Sequence, residues 1–376
     1  MTALPFNRPL RTGGEGARIS AALERGWTGG NGPAGAHCQA LIRELTGAPS
    51  VLMTHSCTGA LEMSALLAQV GPGDEVIMPS FTFSSTANAF VLRGATPVFV
   101  DVAADTLNLD PARVADAITD RTRVVVAVHY GGVACDMAAL GALCRDHGLM
   151  LVEDAAQCIG ATLDGRALGA IGDLGTLSFH ETKNVSCGEG GALLVNDERW
   201  VQRAEILQEK GTDRQRFARG EVDKYTWVDT GSSFLMSDVT AALLVEQLAR
   251  VAEITAARLA IWDAYHAALE PLERAGALRR PLIPPGAGHN AHLYRIMLPD
   301  LAARDAVIAA LAADEIAAYF HYVPLHSAPA GRRFGRAHGP MDVTDAAAEQ
   351  LLRLPLWVGM TTADVERVAR GVAAAT

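Results

Sequence analysis

Three short stretches carry residue types that could do chemistry together. Ser56-Cys57-Thr58-Gly59-Ala60-Leu61 follows an apolar run at 51–54 and opens a helical pattern. The first N–H groups of a helix have no partner within it, and the helix dipole favours an anion there, so this turn could cradle a phosphate. Many strand-to-helix turns are built of small residues without holding a ligand. Cys57 could instead be a nucleophile, because a helix N-terminus lowers a thiol pKa. No base stands near it in the sequence, so backbone donation is the better reading. Val152-Glu153-Asp154-Ala155-Ala156-Gln157 puts Asp154 just past a hydrophobic strand, where open α/β sheets bind ligands. The same carboxylate could simply cap the next helix. Ser178-Phe179-His180-Glu181-Thr182-Lys183-Asn184 puts Lys183 after another strand and before the glycine-rich turn Gly188-Glu189-Gly190-Gly191. Alone, it would be a surface lysine.

In combination the three pieces are what a pyridoxal phosphate (PLP) enzyme needs. A lysine amine condenses with the cofactor aldehyde. A carboxylate keeps the pyridine nitrogen protonated, so that the ring draws electrons. A helix start takes the phosphate. An aromatic ring on the pyridine face completes such a site, and Phe81 and Phe83 follow the second strand at the same edge.

Other signatures fail on context. Gly30-Asn31-Gly32-Pro33-Ala34-Gly35 fits a dinucleotide fingerprint, but a helical segment precedes it and Pro33 sits within it. It reads as a helix–helix connection that could still line a ligand. The close histidine pairs, His289 with His292 and His321 with His326, lack the i, i+4 spacing of a helical zinc site, so no metal is expected. With 32 Lys+Arg against 42 Asp+Glu, the net charge of −10 argues against a nucleic-acid partner. No apolar run reaches the roughly 18–20 residues of a membrane span, and residues 1–11 do not resemble a leader. Six scattered cysteines without a C-x-x-C suit reduced thiols in a cytoplasmic protein.

The elements that must position these groups alternate along the chain. Apolar runs at 51–54, 75–78, 96–102, 123–129, 149–153, 174–179 and 191–195 read as seven strands covered on both faces. Helical patterns lie between most of them, and Asp136 and Gly148 are suited to cap the one at 137–147. This predicts an α/β unit with a mainly parallel sheet. Ser237 would cap a helix whose apolar residues run from Ala241 through Leu248 to Thr255. Residues 279–289, rich in Pro and Gly, read as a linker. Beyond it, 292–298 and 316–323 read as strands and 302–313 as a helix, a small α+β domain. The expected division is a large domain at 1–250 and a small one at 251–376.

Three further stretches complete a family pattern. They are Pro79-Ser80-Phe81-Thr82-Phe83-Ser84-Ser85-Thr86-Ala87-Asn88-Ala89, Pro5-Phe6-Asn7-Arg8-Pro9 and Arg353-Leu354-Pro355-Leu356. With the Asp154 and Lys183 motifs, the chain resembles the DegT/DnrJ/EryC1/StrS sugar nucleotide aminotransferases nearly end to end. Narrower likeness to the dTDP-4-amino-4,6-dideoxygalactose transaminases rests on residues 179–184, Asp223-Lys224-Tyr225-Thr226-Trp227 and His321-Tyr322-Val323-Pro324-Leu325-His326.

The resemblance implies the type I PLP-dependent transferase (aspartate aminotransferase) fold and a homodimer with active sites at its interface. It implies that Lys183 attaches the cofactor, Asp154 pairs with the ring nitrogen and Gln157 lies near the phenolic oxygen. Cys57 and Thr58 would bind the phosphate through N–H groups, Ser178 through its hydroxyl, and Phe83 would stack on the ring. Ser233 falls where many relatives carry an Asn that reaches the cofactor phosphate of the neighbouring subunit; the shorter side chain departs from that pattern. Trp27, His180, Glu181, His321 and Tyr322 are the expected sugar contacts. The implied reaction transfers an amine from L-glutamate to C4 of dTDP-4-dehydro-6-deoxy-D-glucose. Amination at C3 of a dTDP-3-keto-6-deoxy sugar, or a PLP-binding regulator without catalysis, are the alternatives. Some relatives are dehydratases with histidine in place of the lysine, which Lys183 disfavours.

Overall fold

The computed structural model describes residues 3–376; Met1 and Thr2, the first residues of the stretch read for a leader, lie outside them. In chain order the first strands are β1 (Ser50–Thr54), β2 (Glu75–Pro79), β3 (Thr96–Val100), β4 (Thr122–Val128) and β5 (Met150–Asp154). A short hairpin follows, β6 (Thr162–Leu163) and β7 (Arg166–Ala167), and then β8 (Leu174–Ser178) and β9 (Gly191–Val195). The last strands are β10 (Ala287–Gly288), β11 (Tyr294–Met297), β12 (Arg336–Ala337) and β13 (Leu351–Leu354). All seven expected strands form, and β12 joins them as an eighth, in the order β1-β9-β8-β5-β4-β2-β3-β12. Only β9 runs against its neighbours. Every residue of β2, β8 and β9 is buried, because helices cover both faces. That is why these strands read as unbroken apolar runs.

The helix caps follow local chemistry. Asp136 accepts a hydrogen bond from Ala139 N–H at 3.0 Å, and Gly148 ends the helix Met137–His147 at φ 63°, where a side chain would be strained. Ser237 caps Asp238–Leu248 as expected. The long helix read through Thr255 is instead two. The first ends at Leu248 and the next is Val251–Arg274. Apolar spacing crosses the break, but its phase shifts: Ala252 is exposed and Ile254 takes the buried position.

A second core gathers Leu4 with Trp262, Tyr265, Tyr294, Leu311, Leu352 and Val368. Leu4 enters it through backbone bonds with Glu315 and Ala317, at 2.9 and 3.0 Å. The strand expected at 316–323 is reduced to two isolated bridges, Ile316 with Leu4 and Tyr319 with Arg353. Only Ile316 and Ala318 turn inward to the core. Beyond them the chain runs out towards a cavity. The proline-rich connection also carries structure, since β10 pairs with β6.

Two carboxylates tie the sheet to the later part of the chain. Asp101, after β3, accepts the N–H groups of Val343 and Thr344, both at 2.9 Å, and the Thr344 hydroxyl. Glu75, at the start of β2, accepts from Thr119, Arg121 and Arg336. Burial pushes the Glu75 carboxyl up, but those hydrogen bonds outweigh it and hold it below the usual range. A carboxyl depressed on folding stabilises above its unfolded pKa and loses that contribution as pH falls through its folded pKa. Glu75→Gln should therefore cost about 1–3 kcal/mol near neutral pH. Urea unfolding should find the gap to wild type narrowing once pH falls below about 4.

Candidate active site

Because β1, β5 and β8 run parallel, their C-terminal ends meet at one edge of the sheet. There they line a cavity of about 600 Å³. After β1, Ser56 adopts an extended backbone and its Oγ accepts from Gly59 N–H at 3.0 Å, capping the helix Cys57–Leu67. Cys57 and Thr58 N–H then have no protein partner among the described residues. This is a ready anion cradle. It lies so close to β9 that a Cβ on Gly191 would come within 2.4 Å of Cys57 N. Burial, reinforced by Asp154, pushes the Cys57 thiol up to about 12, so it is no thiolate nucleophile.

Asp154 ends β5 and is buried. Its Oδ2 accepts from the Thr86 hydroxyl at 2.7 Å and its Oδ1 from Ala156 N–H at 3.2 Å. Thr86 is in turn bonded to the Thr82 hydroxyl at 2.9 Å. Strand alternation sends Glu153 to the opposite face. There it accepts from Gly169, Ile171 and Gly172 N–H groups and from His129 Nε2. Cys135 N–H donates to His129 Nδ1 at 3.0 Å, which places the imidazole proton on Nε2, facing Glu153.

Lys183 stands on the loop between β8 and β9, and its side chain enters the cavity. Burial lowers its pKa, while Cys57 and Asp154 act against that shift. Among the described residues nothing hydrogen-bonds its amine. Ser178 sits at the end of β8 in the same wall. Gln157 accepts from Gly131 N–H at 2.6 Å and donates to the Tyr322 hydroxyl at 3.2 Å. Phe83, 62% exposed, caps the start of the helix Ser84–Val91 and offers a ring to the cavity.

A cradle of free N–H groups, an amine whose charged form burial disfavours and a buried carboxylate fit a phosphorylated pyridine aldehyde. The profile of the DegT/DnrJ/EryC1/StrS aminotransferase family matches residues 12–373. The chain belongs to that family. The spore coat polysaccharide biosynthesis protein SpsC of Bacillus subtilis is 34% identical, over 98% of this chain and 96% of its own. The aminotransferase TlmJ of Streptoalloteichus hindustanus is 34% identical with a TM-score of 0.90, covering 99% of this chain and 98% of its own. The PLP-form of Spr1654 from Streptococcus pneumoniae is 26% identical with the same TM-score, covering 100% and 98%. This family member is a PLP-dependent sugar aminotransferase with the type I transferase fold.

In this aminotransferase, Cys57, Thr58, Phe83, Asp154, Gln157, Ser178 and Lys183 all line the cavity, with His180, His321 and Tyr322. Glu181, Trp27 and Ser233 do not. Glu181 is exposed and its carbonyl accepts from Asn7 at 3.2 Å. Trp27 is 48% exposed and bonds Gly30 O. Exposed Ser233 forms a bridge with Glu209. His321 stacks on Tyr322 with centroids 3.8 Å apart and bonds the Tyr130 hydroxyl at 3.1 Å. Burial, helped by Arg353 and Lys183, pushes His321 down to about 2, so it stays neutral.

Sequence reasoning missed Thr86, Arg258, His292 and Arg353. Thr86 had a findable signal, because it lies one helical turn after Phe83 within a singled-out motif. Arg258 carries no local signature, while His292 and Arg353 stand in stretches already singled out, a histidine pair and the Arg353–Leu356 motif, that give neither of them a role. Thr86→Val removes a hydrogen bond to a charged group, which should weaken PLP binding roughly tenfold. Titration of apoenzyme with PLP, followed by absorbance, reads that loss; unchanged affinity would mean that Asp154 is oriented by other contacts.

Proposed function

We propose that this enzyme transfers the amine of L-glutamate to C4 of dTDP-4-dehydro-6-deoxy-D-glucose, giving a dTDP-4-amino-4,6-dideoxy-hexose and 2-oxoglutarate. The observation that carries the reading is the meeting of Lys183, Asp154 and the Cys57–Thr58 cradle in one cavity lined by His180, His321 and Tyr322. The motifs shared with C4-aminating relatives include those last three residues.

Lys183 is the attachment point and proton carrier. The N–H groups of Cys57 and Thr58, with the Ser178 hydroxyl, hold the phosphate. Asp154, oriented by Thr86, holds the ring nitrogen in its protonated form. Phe83 would cover the ring face, and Gln157 would lie by the phenolic oxygen, as the resemblance implies. Bound PLP supplies a sink for the electron pair left when a Cα–H bond breaks. Once the donor amine has displaced it from the cofactor, Lys183 Nζ would take that proton from the donor Cα. In the return half-reaction Nζ delivers a proton to the sugar carbon that gains the amine. Burial favours the neutral amine that the first step needs.

The active unit is a homodimer. Trp227 and Val323, exposed and outside the cavity, present apolar surface that a second copy would cover. Ser233 lies outside its own cavity, so any contact with a cofactor phosphate must be made across that interface. All six cysteines are free, which suits the cytoplasm.

Incubation with the keto sugar and glutamate, followed by NMR, should give a product with its amine at C4. An amine at C3, or no product, would overturn the substrate assignment. Lys183→Ala should abolish product formation without changing the circular dichroism spectrum. Sedimentation should find a dimer at micromolar concentration.

A further inference from the structure

One acceptor in the cavity wall has no assigned partner. His292 stands just before β11 and lines the cavity that Lys183 enters. Its ring is tied to Asn184, the residue after Lys183, with Nδ1 and Asn184 Oδ1 3.0 Å apart. Asn184 Nδ2 donates to Asn290 O at 2.9 Å, and a carbonyl only accepts, so Oδ1 is the atom that faces His292. That oxygen also only accepts. The imidazole proton is therefore on Nδ1, and Nε2 carries a lone pair. Asn290 completes the tie: its Oδ1 accepts His292 N–H at 3.1 Å, and its Nδ2 donates to Gln157 O and Ile159 O at 2.8 and 2.9 Å. His292 Nε2 has no hydrogen-bond partner among the described residues. Burial holds this imidazole well below its ordinary pKa, and the charges of Lys183, Arg258, His321 and Arg353 add to that. It stays a neutral acceptor near pH 7.

Lys183 is the complementary case, a donor without an acceptor among the described residues. Burial and Arg353 lower its pKa, while Cys57, Asp154 and Cys158 act against them. These neighbours are engaged or uncharged. Asp154 is bonded to Thr86 and Ala156, and burial pushes the thiols of Cys57 and Cys158 up, so neither is an anion. Glu189, also in the wall, reaches towards His180. A lysine stem is flexible, so a displaced amine does not by itself aim its lone pair at a reacting carbon. A bond from one of its N–H groups to a fixed acceptor does. A carboxylate in that place would raise the amine's pKa strongly; a neutral imidazole fixes the amine with a smaller rise.

We propose that His292 is a positioning residue for proton transfer: once the donor has displaced Lys183, Nζ donates an N–H to His292 Nε2, and its lone pair turns to the donor Cα. Asn184 fixes the tautomer that makes this possible. As the Cα–H bond breaks, the proton goes to Nζ, and the electron pair goes to the sink already described. His292 stays neutral, since its low pKa keeps it from taking the proton, and its bond to the new ammonium is strengthened by charge. This rests on Lys183 as proton carrier and is independent of which sugar accepts the amine.

Two substitutions split the ring into its two functions. His292→Asn keeps a donor to Asn184 at the Nδ1 position and has no atom at the Nε2 position. His292→Gln can set its amide oxygen at the Nε2 position and lacks the donor to Asn184. L-Glutamate should bleach the visible band of the wild-type holoenzyme. In His292→Asn the single-turnover rate of bleaching should fall roughly 10- to 100-fold, and the isotope effect with α-deuterated glutamate should rise. The glutamate concentration for half-maximal rate should stay within about threefold. His292→Gln should keep a rate within about fivefold of wild type. A second readout needs no turnover. Lys183 is one of three lysines, with Lys210 and Lys224, so mass spectrometry can follow its labelling by a small amine reagent against the other two. In enzyme loaded with pyridoxamine phosphate, which leaves the lysine free, loss of an acceptor disfavours the ammonium. The labelling midpoint of Lys183 should then fall by about one pH unit in His292→Asn and hold in His292→Gln.

A wild-type rate in His292→Asn would overturn the proposal. So would a larger loss in His292→Gln than in His292→Asn, which would assign the ring to the Asn184 tie alone. An unmoved labelling midpoint in His292→Asn would overturn it as well. A wrong donor shows separately, because glutamate then fails to bleach the wild-type band while labelling still reads the pairing. A wrong attachment lysine shows as product formation by Lys183→Ala.

Discussion

Two adjacent carboxylates at the buried end of β5 set the terms for the site. Burying either charge without partners would cost several kcal/mol. Strand alternation separates them, and each face answers differently. Glu153 is saturated by three backbone N–H groups and His129 Nε2, which locks β5 to the turn before β8. Asp154 receives one hydroxyl and one N–H on the cavity side, which leaves acceptor capacity for a ligand cation. The structural carboxylate thus fixes the backbone from which the functional one projects. The Thr82–Thr86 pair extends that order to the helix that carries Phe83 at its start.

Around Asp154 the cavity is rich in nitrogen. Lys183, Arg258, Arg353, His292 and His321 all reach it, and burial lowers the pKa of each. Burial makes the charged form of each of these groups costly, so an anion that enters and pairs with them relieves that cost. Such a site suits substrates and a cofactor that bring phosphates and carboxylates with them, and it suits a lysine that must act as a base. The net charge of −10 belongs to the rest of the molecule. Overall acidity and a local site for anions coexist because the field near a cavity is set by its own lining.

Where one residue's environment is set by near neighbours, the chain was legible. The seven strands are apolar runs because both faces of the sheet are covered, and that burial leaves its mark on composition. Asp136, Gly148 and Ser237 cap their helices through bonds that span three or four residues. The break after Leu248 was hidden because apolar spacing continues on both sides of it, and a two-residue interruption changes phase without changing composition. Residues 316–323 failed as a strand because only Ile316 and Ala318 have a core to face; His321 and Tyr322 belong to the cavity.

By itself the sequence determined the strand–helix alternation, the cradle after β1, and the carboxylate and lysine at two strand ends. These depend on local geometry and on short motifs that keep their register. Which side chains surround them was decided only by tertiary structure. Thr86 meets Asp154 across 68 residues, and Tyr130 meets His321 across 191. Glu181, two residues from Lys183, faces outward, while Arg353 and Phe6, from opposite ends of the chain, stack in the same wall. Proximity in a folded chain is set by how sheets and helices pack, and that packing sums many weak contacts no single stretch encodes.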